Sequence, residues 1–90
     1  MEVFMNQLAV SLAGHDKGCI YAIIKEDETT VFLADGSARR LEKPKKKNLK
    51  HIRRIVRLPA AVSGELEKVS NNSDLVHVLR MYRAEANKEK

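Results

Sequence analysis

Cysteine occurs once in the 90 residues, as Cys19, proline twice and aromatic residues four times, with no tryptophan. A single cysteine excludes an intrachain disulfide, so the fold must be held by its apolar core, and a free thiol fits a reducing compartment. No apolar run approaches the roughly 18 to 20 residues that a membrane helix needs. The first 14 residues open with Glu2 and carry no basic n-region, so they do not read as a signal peptide. The expected location is the cytoplasm, with no membrane partner. The shortage of rings also disfavours a groove for proline-rich peptides and base-by-base reading of single strands.

Charge is plentiful, and it is unevenly placed. The whole chain carries +5 and is 43% hydrophobic, which suffices for one small core and excludes wholesale disorder. Residues 37–57 hold ten of the cations (Arg39, Arg40, Lys43, Lys45, Lys46, Lys47, Lys50, Arg53, Arg54 and Arg57) and a single acid, Glu42. The rest of the chain is therefore net acidic. So dense a basic band repels itself unless a polyanion or an acidic surface faces it, and nucleic acid is the commonest such partner.

Residues 6–13 alternate, with Leu8, Val10 and Leu12 on one face and Gln7, Ala9 and Ser11 on the other, which predicts a half-buried strand. Gly14, Asp16 and Gly18 supply turn chemistry, and β-branched and aromatic residues predict strands over 20–24 and 29–34. Asp35-Gly36 signals a two-residue hairpin into a fourth strand over 38–41. Pro44 then forbids helix through Lys43 and makes 43–47 an extended basic loop. Residues 49–58 fit either a helix or a strand. Beyond Pro59 the signals are helical over 60–69, with a loop at 70–73, and Leu75, Val78, Leu79 and Tyr82 recur at helical spacing ahead of a polar tail over 84–90. Several short strands joined by tight turns favour a small curled barrel, with the helices covering one open side.

Three ordered blocks carry a resemblance. They are Val10, Ser11, Ala13, Gly14, Asp16, Lys17 and Gly18; then Val31 to Gly36 with Arg39; then Glu42 to Lys47 with Lys50 and His51. Together they span about residues 6–52 and resemble the bacterial KOW-domain RNA-binding proteins, which are themselves similar to a large-subunit ribosomal protein of archaea and eukaryotes. Where that family commonly has Arg after the glycine, this chain has His15. The resemblance implies a mainly β fold with C-terminal α: an SH3-like five-stranded barrel over 1–58, and one or two helices over 59–90 packing on it. It also implies RNA binding, association with ribosomes or translation, and the strand reading of 49–56.

The expected RNA-binding side chains are Lys17, Arg39, Arg40, Lys43, Lys45, Lys46, Lys47, Lys50, His51, Arg53 and Arg54. Guanidinium groups fork onto phosphates and ammonium groups neutralise them as point charges. Gly14, Asp16, Gly18, Asp35 and Gly36 are expected to shape turns. With Tyr21 and Phe32 in apolar strands and read as core, recognition of RNA shape and backbone is expected, on a folded element such as one of ribosomal RNA. The three histidines lie in separate segments with no acid–base–nucleophile set, and His15 with Cys19 falls short of the ligands zinc needs. Catalysis, a metal, a cofactor and a small-molecule substrate are therefore not expected; Cys19 reads as a small apolar residue at a strand start. The expected partners are RNA and, beside it, the ribosome or its proteins; the competing reading is a protein-docking adaptor, in which the apolar face of the last helix binds a partner and the basic loop only steers it. A DNA-binding protein is a third.

Overall fold

The computed structural model describes residues 7–88, so the first residue of the strand expected over 6–13, the first six residues of the chain and the last two of the polar tail lie outside them. Four strands follow in order: β1 (Leu8–Ser11), β2 (Ile20–Glu26), β3 (Thr30–Ala34) and β4 (Lys45–Asn48). One turn of 3-10 helix, Leu49–His51, leads into β5 (Ile52–Ile55), and two helices close the chain, α1 (Ala60–Glu67) and α2 (Asn72–Lys88). All strand pairs are antiparallel, in the order β4-β3-β2-β1-β5.

This order forces a curl. In a flat sheet the edge strands β4 and β5 would lie about 19 Å apart, yet the four peptide steps from Asn48 to Ile52 reach about 14 Å at full stretch. The sheet bends to bring its edges towards each other. No ladder joins β4 to β5 among the described residues, so the seam stays open.

Both faces of the curled sheet are buried, each by a different part of the chain. Ala9, Tyr21, Ile23, Val31, Leu33 and Ile52 fill the concave side, with Leu49 against them. On the convex side, Leu8, Ala22 and Ala34 meet Val62 and Leu66 of α1, Val69 of the link, and Leu75, Val78 and Leu79 of α2. Each of these large helix residues contributes about 1.5–3 kcal/mol when fully buried. The expected division of β1 into an apolar and an exposed face is corrected accordingly: Ala9 and Ser11 are buried inside the curl, and Leu12 is 44% exposed.

Three other expectations are overturned. Asp35-Gly36 does not make a two-residue hairpin, and no strand forms over 38–41; residues 35–44 are one irregular connection. Asp35 Oδ1 accepts the backbone N–H groups of Ser37 and Arg39, which bends the chain locally, and Asn72 Oδ1 accepts the N–H of Leu41, which pulls the connection onto the start of α2. Residues 45–47 are strand, not loop, because pairing with β3 outweighs the poor strand preference of lysine; Pro44 sits just outside the ladder, where its missing N–H costs nothing. Residues 84–88 continue α2 rather than forming a loose tail, in keeping with the helix preference of Ala, Glu and Lys.

Candidate nucleic-acid interface

Strand alternation sorts the lysine run. Lys45 pairs in register with Leu33 and Lys47 with Val31, both residues of the concave core, whereas Lys46 pairs with Phe32. Successive residues of a strand face opposite ways. Lys45 and Lys47 therefore turn inward, and Lys46 is exposed on the outer face.

The two inward ammonium groups converge on Asp16. Lys47 Nζ donates to Asp16 Oδ1 at 2.9 Å and Lys45 Nζ to Oδ2 at 3.0 Å. The same carboxylate accepts Ser11 Oγ and Tyr21 OH, each at 2.8 Å, and Lys47 donates besides to the Ala13 carbonyl at 3.0 Å. Side-chain exposure is 12% for Asp16, 9% for Lys47 and 25% for Lys45. Burial opposes ionisation of Asp16, but the hydrogen bonds from Lys47, Ser11, Tyr21 and Lys45 outweigh it and hold the carboxyl well below the usual carboxylate range. Burial and the bond to Asp16 push the Tyr21 phenol well above its ordinary value. The β1–β2 turn is thus fastened by side chains to edge strand β4, with which β1 shares no ladder.

Two more cations are paired. Arg54 donates to Glu26 at the end of β2 and, at 2.8 Å, to Gln7, with about a third of its side chain exposed. Arg40 and Glu42 pair at 2.9 Å on the exposed surface. Asn72 Nδ2 and then Arg40 hold Glu42 down to about 2. Solvent screening leaves a surface pair such as this little to contribute to stability.

Lys17, Arg39, Lys43, Lys46, Lys50 and Arg53 are exposed and make no ion pair among the described residues. His51 is exposed as well. Leu12 N donates to His51 O at 2.8 Å, which brings Lys50 and His51 of the 3-10 turn to the same end of the sheet as the turn bearing Lys17. Arg39 and Lys43 stand apart from that end, on the 35–44 connection beside the start of α2.

Gly14, Gly18 and Gly36 all have positive φ, as their turn roles require. Gly36 has an added reason to be glycine, since a Cβ there would lie 2.4 Å from the Asn72 carbonyl oxygen. Asp16 serves as an ion-pair hub beyond shaping its turn. Cys19 is exposed rather than part of the core. The one signal for the Asp16 cluster available in the sequence was the period of two in Lys45-Lys46-Lys47, which a loop reading hides.

The sequence matches no protein-family model, and no curated protein is similar to it.

Proposed function

We propose that this chain is a cytoplasmic RNA-binding module with an SH3-like barrel of KOW type, docking on structured RNA, foremost that of the ribosome, through its outward cations. The five-stranded antiparallel order and the 3-10 link between β4 and β5 support the SH3-like reading. One observation carries the function: Lys46, Lys50 and Arg53 remain exposed and unpaired in a protein that uses Asp16 and Glu26 to neutralise their neighbours. Lys45, Lys47 and Arg54 leave the interface and become part of the scaffold. The adaptor reading loses its support, because Leu75, Val78 and Leu79, the apolar face it needs, are at most 1% exposed against the sheet.

The test is the triple variant Lys46→Glu, Lys50→Glu, Arg53→Glu. It is expected to keep the wild-type melting midpoint and to lose retention of a folded RNA. Undiminished retention by the folded variant rejects the proposal.

A further inference from the structure

Resting on the RNA-binding reading, we infer that Phe32 is a stacking platform for one unpaired nucleobase, with Lys25 and Lys46 holding the phosphates on either side of it. Phe32 lies mid-strand in β3, paired with Lys25 of β2 on one side and Lys46 of β4 on the other. Antiparallel partners present their side chains on the same face, so the three residues form a Lys–Phe–Lys row across three adjacent strands.

Phe32, read from the sequence as core, is not part of it. Phe32 is only half-buried, and it belongs neither to the concave cluster nor to the residues packed against the helices. Two residues on, Ala34 is fully covered on the same face. The helices thus stop short of Phe32 and leave an aromatic face on a sheet surface, which is the surface on which nucleic-acid-binding folds stack bases.

The Lys25 ammonium lies 5.6 Å from the ring centroid, near the outer limit of such contacts. It sits on a flexible stem, so a base can take its place while the ammonium swings to the adjoining phosphate. Asp27 and Glu28 in the β2–β3 turn repel phosphate at that end of the strands. The ligand implied is a bulged or looped nucleotide within an otherwise folded RNA, its duplex part lying on the free cations.

Two probes test this: a fully paired RNA duplex, and the same duplex carrying a bulged 2-aminopurine, each titrated with the full chain at one fixed salt concentration. Wild type is expected to bind the bulged duplex more tightly than the paired one and to change the 2-aminopurine emission. Phe32→Leu, which keeps an apolar side chain and lets the strand fold, is expected to weaken binding to the bulged probe about tenfold and to abolish the emission change, with binding of the paired duplex unaltered. Phe32→Tyr restores both. If Phe32→Leu binds the bulged probe as wild type does, stacking is overturned while charge-based binding stands. If wild type binds neither probe, both readings fall.

Discussion

Lys47 and Asp16, 31 residues apart, form a largely buried ion pair of 2.9 Å that ties an edge strand to the turn between the first two strands. This pair, with Lys45 as its second cation, stands at the open seam of the curled sheet. Taking two charges out of water is costly unless their remaining hydrogen-bond capacity is met, and here Ser11, Tyr21 and the Ala13 carbonyl meet it.

Removing the carboxylate strands two ammonium groups. Asp16→Ala is expected to cost about 3–5 kcal/mol, a large part of the stability of a domain this small. Lys46→Ala, by contrast, is expected to stay within about 0.5 kcal/mol of wild type. Urea unfolding of the two variants checks the contrast.

The same carboxylate governs the acid limb of stability. Asp16 is held below its unfolded value of about 3.9, so its contribution is complete above that value and is lost as pH falls towards the lower folded one. Stability is expected to vary little with Asp16 ionisation above about pH 5 and to fall below about pH 4. Asp16→Asn, less stable at neutral pH, should show a shallower acid limb. Urea midpoints measured across this range decide it.

Glu42 offers a local reading of the long connection. Its carboxyl, held down to about 2 by Asn72 and Arg40, is expected to titrate nearer the ordinary value in Asn72→Ala. Carbon-detected NMR titration of the side chain measures it directly.

Two glycines of like conformation should differ in tolerance. At Gly18 a Cβ meets nothing within 4 Å, so Gly18→Ala carries only the strain of φ +90, about 1–2 kcal/mol. At Gly36 the same change also drives a methyl into the Asn72 carbonyl. Gly36→Ala should therefore be clearly the more destabilising in thermal melts.

Salt dependence separates outward from inward lysines. Lys46→Ala is expected to lower the slope of log affinity against log salt by about 0.7–0.9, one counterion's worth. Loss of affinity with no change of slope would place Lys46 away from the phosphates.

What the sequence made legible was whatever local chemistry decides. Ile20 to Ile24 and Thr30 to Ala34 are β-branched or apolar runs, and they are strands. The glycine turn at 14–18 and the amphipathic pattern of Leu75, Val78 and Leu79 likewise speak for themselves. Long-range contacts decide the remainder. The run Lys45–Asn48 has no strand signature, and only its ladder with β3 makes it one. The 35–44 connection is shaped by Asn72, more than 30 residues on. Counting cations found the basic segment, but the partners that withdraw Lys45, Lys47 and Arg54 come from residues 16 and 26, which no local window contains.

The lysine-rich strand also bears on solubility. An unpaired sheet edge is a template on which a second copy can add its own strand, and such growth leads to fibres. One such edge here is β4, with charge pointing into the sheet at Lys45 and Lys47 and out of it at Lys46. Two such edges brought together would set one triple-lysine run against another, so the strand that completes the fold also guards it against self-templated aggregation.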